Sequence, residues 1–240
     1  MKKLLVLALA FMMLLSVIAC SNPTTSDPTP DPGQTNTEAT PAPTDAQGTE
    51  ETPAAPSAVR KENLVVALQA EPQTIDPYAA SHDTTFISSE AIFEPLFKYE
   101  DGELTPWLAT AYEMVDDLTL KLTLRDDVLF HDGNKMTADD VVFSLCYGAT
   151  SNFTSTLFGA IDTENTKALD EQTVEVKLLY PYAPLLEAMA SHRCAIVSKA
   201  AYESMDADAF GRAPVGTGPM MFKEWVSGDR IELTGFEQYW

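Results

Sequence analysis

Leu118, Leu120, Leu122 and Leu124 alternate with Thr119, Lys121 and Thr123, the period of a strand with one buried face. His131-Asp132-Gly133-Asn134 follows. Its Gly can take positive φ, and its Asp and Asn can bond back to their own backbone, so it predicts a turn. Thr137 then precedes Ala138-Asp139-Asp140. A hydroxyl there caps a helix, and two carboxylates in the first turn face the positive end of its dipole. Val141, Val142 and Leu145 recur at helical spacing. Leu118 to Tyr147 is thus a strand, a turn and a capped helix, with no obvious catalytic group.

The same pattern predicts further elements on both sides. Leu64 to Leu68 is a short apolar run and predicts a strand, followed by a proline-punctuated loop through Pro77. Thr84 to Phe97 has Phe86, Ile87, Ala91, Ile92 and Leu96 at helical spacing, cut short by Pro95. Asp101-Gly102 predicts a turn, and Tyr112 to Leu124 a hairpin around Asp116-Asp117. Thr173 to Leu178 alternates as a strand; Pro181 to Ala190 predicts a helix with Pro184 near its start. Ala195 to Val197 predicts a short strand, and Ser198 a cap for a helix from Lys199 to Met205. Phe222 to Val226 and Arg230 to Leu233 form a second hairpin around Ser227-Gly228-Asp229. Short strands mixed irregularly with helices predict a mixed α+β lobe of the α/β class.

The first quarter has a different character. Residues 1–19 combine Lys2 and Lys3 with an apolar run from Leu4 to Leu15, as a secretion signal does. Ser16-Val17-Ile18-Ala19-Cys20 resembles a bacterial lipobox, with Val17 in place of the more usual Leu. The resemblance implies a diacylglyceryl group on Cys20 and attachment to the outer side of the cytoplasmic membrane. Residues 20–62 are rich in Pro, Thr and acids and, through Ser57, contain no Leu, Ile, Val or aromatic residue. Such a segment cannot bury enough apolar surface to fold, and its prolines favour an extended spacer. The folded part is residues 63–240.

Charge and candidate chemistry narrow the function. The net charge of −21 argues against a nucleic-acid partner, which needs clustered Lys and Arg. Cys146 and Cys194 either pair or stay free, and no Cys/His spacing suggests a metal site. Gly216-Thr217-Gly218-Pro219 lacks the spacing and following Lys of a phosphate loop and reads as a tight backbone turn. His131 has no second His at i+4 and no placed nucleophile, and reads as a structural turn histidine. The Asp139-Asp140 pair is explained by capping. His82 and Asp83 either face a ligand from the loop, or Asp83 caps the following helix. Trp107, Trp225 and Trp240 read as core or interface anchors. Nothing here makes a positive case for an enzyme, a catalytic residue or a cofactor.

Trp107-Leu108-Ala109 through Leu145, with LRDDVLFHDGNKMTADDVVFSL at its centre, resembles the signature region of extracellular solute-binding proteins of the oligopeptide/dipeptide/nickel class. Pro214-Val215-Gly216-Thr217-Gly218-Pro219 with Phe222-Lys223-Glu224-Trp225 is similar to a second block of that family, Tyr239-Trp240 to its close, and Gln73-Thr74-Ile75-Asp76-Pro77 to its first loop. Met220-Met221 departs from the aromatic usual there. The resemblance implies a periplasmic-binding-protein-like fold of two lobes that close on a ligand. Of this fold the chain would hold the N-terminal part of lobe one with an inserted subdomain, family members being considerably longer. It further implies a receptor for peptides or a related solute, working with the permease and ATPase subunits of an ATP-driven importer. Tyr78, His82, Asp83, Thr84 and Thr217 are then the expected ligand-facing residues. A surface lipoprotein acting as a sensor or adhesion module, without an importer, is the alternative.

Overall fold

A computed structural model describes residues 63–240. The secretion signal, Cys20 and the tether lie outside the described residues. The first elements are α1 (Asp83–Ser89), β1 (Phe97–Glu100), β2 (Glu103–Pro106), β3 (Ala109–Asp116) and β4 (Thr119–Leu124). Next come α2 (Ala138–Thr150), α3 (Ser155–Phe158), β5 (Lys167–Ala168) and β6 (Thr173–Lys177). The chain continues through α4 (Leu185–Met189), α5 (Lys199–Glu203), α6 (Ala207–Arg212), β7 (Met220–Val226) and β8 (Arg230–Gly235). Helices and strands mix without regular alternation, as predicted.

The leucine repeat occupies an interior position in the sheet. β3, β4, β6 and β5 form an antiparallel sheet in that order, and Leu120 and Leu122 of β4 pair with Val176 and Val174 of β6. All four side chains are fully buried. Val141 and Leu145 of α2 join them in the first core, with Phe130, Met136, Leu185 and Met189. Phe143 and Tyr147 of α2 instead reach a second core made of Ile75, Tyr78, Ile92, Phe93, Val197 and Phe210. Helix α2 therefore separates the two cores, and helical periodicity lets one helix serve both.

Local chemistry explains its start. Asp140 Oδ2 accepts from the Thr137 N–H at 2.9 Å and from its hydroxyl at 2.8 Å. Asp140 Oδ1 accepts from the Lys199 N–H at 3.0 Å, which ties the starts of α2 and α5 together. In the preceding turn Gly133 has φ 85°, and Asp132 accepts from the Asn134 N–H at 3.0 Å. The turns of the β1–β2 and β7–β8 hairpins likewise place Gly102 and Gly228 at positive φ.

Three expectations are corrected. Leu64 to Leu68 forms no strand, because no neighbour supplies a ladder among the described residues; Leu64 and Val65 are almost fully exposed. The helix expected from Thr84 to Phe97 ends at Ser89. Beyond it, the Ala91 and Ile92 carbonyls accept from the Met220 and Gly218 N–H groups, at 3.0 and 2.8 Å, so this backbone is committed to another segment. Ala195 to Val197 is buried but is not a strand. The Ile196 N–H donates to the Glu94 carbonyl and the Val197 N–H to Ser144 Oγ, each at 3.0 Å, rather than to a neighbouring strand. Cys146 and Cys194 are both free.

Candidate ligand-binding face

The loop entering α1 is fastened from beneath. Ile75 N–H donates to the Gly211 carbonyl at 2.8 Å, and Thr85 Oγ1 to the Thr74 carbonyl at 2.9 Å. The fully buried Asp76 accepts from the Tyr78 N–H at 2.9 Å and from the Tyr147 hydroxyl at 2.8 Å. Burial raises the Asp76 pKa, and these two hydrogen bonds pull it the other way. Tyr78 is buried; its hydroxyl donates to the Ala195 carbonyl at 2.6 Å, and burial holds its pKa well above the ordinary phenol value. With its base fixed at these points, the loop carries Ser81, His82 and Asp83 on the surface.

His82, not Asp83, caps α1. Its Nδ1 accepts from the Thr84 N–H at 3.4 Å and lies 3.0 Å from Thr84 Oγ1, which assigns the ring proton to Nε2. Asp83 lies exposed in the first turn, where the helix dipole favours its charge. Thr84 is buried.

His82, Phe86 and Glu90 follow at i, i+4 and i+8, so they lie along one side of the helix. Phe86 is covered by the edge of His192, with ring centroids 4.8 Å apart, and by the Arg193 guanidinium at 4.6 Å. Beside Glu90 opens a groove of about 400 Å³, lined also by Ser89, Phe93, Pro95, Lys98, Tyr99, Ala190 and His192. Lys98 Nζ lies 3.1 Å from the centroid of the Trp107 ring. Burial lowers the Lys98 pKa, and the charges of Glu94 and Glu100 oppose that.

Thr217 lies in the interior, at a carboxylate that collects four donors. Glu94 is buried, and its Oε1 accepts from Trp107 Nε1 at 2.9 Å and from the Tyr239 hydroxyl at 2.7 Å. Its Oε2 accepts from Thr217 Oγ1 at 3.0 Å and from Trp240 Nε1 at 3.1 Å. Three of the sequence blocks singled out above therefore meet on one side chain. His131 works close by: its Nε2 donates to the Gly218 carbonyl at 2.8 Å, and its Nδ1 accepts from the Gly216 N–H at 3.3 Å. Burial lowers its pKa, with the Gly218 hydrogen bond opposing. Gly216 is required here, since a Cβ would stand 2.1 Å from the Ile92 carbonyl oxygen. The structural reading of His131 holds; Thr217 to Pro219 form a bend rather than a closed tight turn, since the Gly218 N–H donates to the Ile92 carbonyl and the Gly216 carbonyl accepts from the His131 N–H.

The structure thus brings His82 and Asp83 together on the surface with Thr84 beneath them, and puts Tyr78 and Thr217 inside. The sequence reading passed over Glu94, and also Glu90, Lys98 and His192, which line the groove. Glu94 did leave a signal. It is a single charge within Ile92-Phe93-Glu94-Pro95-Leu96-Phe97, and a carboxylate buried among apolar neighbours needs donors. Among the described residues no group of three or more His, Cys, Asp or Glu is arranged to hold a metal ion.

Comparison with known proteins agrees with this architecture. Residues 103–240 match the family described as bacterial extracellular solute-binding proteins, family 5, middle. The chain is 29% identical over 186 residues to the glutathione-binding protein GsiB of Salmonella typhi, covering 76% of this chain and 36% of that protein. It therefore spans little more than a third of that relative. Among solved structures, NikZ from Campylobacter jejuni in complex with Ni(L-His) superposes with a TM-score of 0.66 at 29% identity, over 76% of this chain and 37% of NikZ. The DppA periplasmic binding protein of Helicobacter pylori in complex with the peptide STSA gives 0.62 at 26% identity, over 71% of this chain and 38% of DppA. The family match spans more than half of the sequence, and the chain belongs to the bacterial extracellular solute-binding proteins of family 5.

Proposed function

We propose that this chain forms part of a receptor that captures a small extracellular solute, with peptides the leading class, and delivers it to the permease and ATPase subunits of an ATP-driven importer. The observation that carries this reading is the α1 face, where an anchored loop presents His82 and Asp83 on the same helix side as an open groove at Glu90. The relatives named for glutathione and the neighbour holding a peptide support the peptide class. His82 and Asp83 make direct contacts in this reading, while Thr84 and Tyr78 hold the surface from beneath and Thr217 fixes the Glu94 carboxylate. The protein binds and releases its ligand without covalent chemistry.

Calorimetry on the full-length protein tests this with trialanine, glutathione and a nickel–histidine complex. Saturable one-to-one heat with a peptide is expected. Binding only of the nickel complex, with no heat from either peptide, defeats the peptide assignment.

We further propose that Cys20 carries a lipid and holds the receptor on the outer side of the cytoplasmic membrane, with residues 21–62 as spacer. Radiolabelled fatty acid should enter the wild-type protein and not a Cys20→Ala variant. Equal label in both would contradict the anchor.

A further inference from the structure

The β3–β4–β6–β5 sheet ends on β3, whose outer side has no neighbouring strand among the described residues. Every residue from Thr110 to Asp116 is exposed. Within the described part, the backbone of β3 pairs with β4 alone, except at Ala109, which donates to the Leu96 carbonyl at 2.9 Å and accepts from the Trp107 N–H at 3.0 Å. The backbone groups of residues 110–116 that point away from β4 are therefore a template for another strand. Bulges between Ala109 and Ala111 and between Met114 and Asp116 confine the regular part of that template to Ala111 through Met114. It takes a short strand.

The side-chain rows across the sheet say what that strand carries. On the core face Tyr112 stands opposite Leu122, and Leu122 opposite Val174; Met114 stands opposite Leu120, and Leu120 opposite Val176. The inner residues of these rows are fully buried, while Tyr112 and Met114 remain 47% and 48% exposed, so both apolar rows run out uncovered at the edge. On the other face Glu113 stands opposite Lys121, Lys121 opposite Glu175, and Glu175 opposite Lys167. The sign alternates from strand to strand, and the Lys167 ammonium reaches Glu175 at 3.5 Å. This row ends on Glu113, with a cation on one side only. Opposite charges facing across strands stabilise a sheet and like charges destabilise it. A fifth strand that continues both patterns has apolar residues opposite Tyr112 and Met114 and a Lys or Arg opposite Glu113. A second copy of β3 does not supply this, since Ala109–Asp116 contains Glu113 and Asp116 and no base.

We propose that the β3 edge is a docking site for an extended segment of a partner protein, with alternating apolar and basic residues, which joins the sheet as its fifth strand. Main-chain hydrogen bonds hold the segment, and the alternation of its side chains selects it. No residue of β3 lines the groove beside α1, so the site is separate from the solute-binding face and does not depend on it.

The probes are fluorescently labelled acetyl-Val-Lys-Val-Lys-Val-amide and its counterpart with Glu for Lys, titrated by anisotropy into the full-length protein. Excess trialanine is present to compete for the solute site. At low salt, wild type should bind the Lys peptide at least about fivefold more tightly than the Glu peptide. Glu113→Gln should narrow that preference, and Glu113→Lys should bring it below about twofold. Glu113 is exposed, and a thermal melt of each variant separates loss of preference from loss of fold. Hydrogen–deuterium exchange reads the backbone: saturating Lys peptide should slow exchange in residues 110–116 and leave 81–90 unchanged. Failure to bind the Lys peptide, or equal affinity for the two peptides, overturns the proposal, as does a preference that Glu113→Lys leaves intact or protection that avoids 110–116. Protection of 110–116 that grows with protein concentration in the absence of peptide assigns the edge to a second copy and overturns it as well.

Discussion

Two glutamates of this molecule hold tryptophan indoles, and they do so in opposite surroundings. Glu94 is buried and accepts from two indoles and two hydroxyls. Glu71 is exposed; it accepts from Trp225 Nε1 and Ser227 Oγ, each at 2.8 Å, and from the Gly228 N–H at 3.0 Å, with Arg212 at 3.9 Å. Both fasten distant segments together, and hydrogen-bond counts alone would rank them as near equals. The difference lies in what water can replace. Donors around Glu71 can turn to solvent if it is lost, whereas at Glu94 the Thr217 hydroxyl is fully buried and the two indoles and Tyr239 are half-buried, so they reach water less readily. The same chemistry thus makes an interior keystone in one place and a surface clasp in the other.

The largest expected effect breaks the comparison directly. Glu94→Ala should lower unfolding free energy by about 2–3 kcal/mol, because one buried and three half-buried donors lose their acceptor at once. Urea unfolding measures it, through a fall in the midpoint. Glu71→Ala should give a much smaller fall, and one that shrinks further in high salt. Equal losses would refute the distinction.

His131 extends the test to a neutral partner in the same neighbourhood. Its pKa is lowered in the folded state, chiefly by burial, so the unfolded chain binds the proton more readily. The stability it contributes is present above about pH 6.5 and is lost as pH falls from there through the lower folded value. His131→Ala should cost about 1–3 kcal/mol at pH 8 and flatten this acid-side slope. A slope unchanged in the variant would assign it to another group.

Asp76 sharpens the comparison among buried carboxylates. It has two donors where Glu94 has four, and burial raises its pKa above the ordinary 3.8. The folded state then holds the proton more tightly, so stability should decline as pH rises from about 3.8 through the raised value. Asp76→Asn should remove that decline. The smallest effect concerns Glu71, whose pKa is lowered by Ser227 first and then by Trp225. Its contribution is present above pH 4.5 and fades as pH falls through the lowered value; a Glu71→Gln variant should show a slightly shallower acid limb.

Much of the frame was legible because it rests on local rules. The alternating leucines of β4 and the Thr137–Asp140 helix start needed only pleat period and end capping. The turns at Gly133 and Gly228 and the β7–β8 hairpin needed only φ preference. Failures came where backbone partners lie far away in sequence. Leu64 to Leu68 has the composition of a strand but no ladder among the described residues, and Ala195 to Val197 spends its N–H groups on a side chain and a loop. Helix α6 was missed although Asp206 caps it through the Ala209 N–H at 2.7 Å, because Phe210 is the sole wholly buried large residue it offers as a periodic signal. At the candidate site, His82 and Asp83 were found as loop residues next to a helix. Glu90, Lys98 and His192 were not, since only folding brings residues so distant in sequence to one groove.

The central claim is that the α1 face, from His82 to the groove at Glu90, is where a solute binds. Hydrogen–deuterium exchange on the full-length protein, with and without trialanine at a calorimetrically saturating concentration, tests it most directly. The account predicts slowed exchange in residues 81–90 and 190–193, with the β3–β4 turn at Asp117-Leu118 unchanged. Unaltered exchange at 81–90 and 190–193, with protection appearing only elsewhere in the chain, would contradict it.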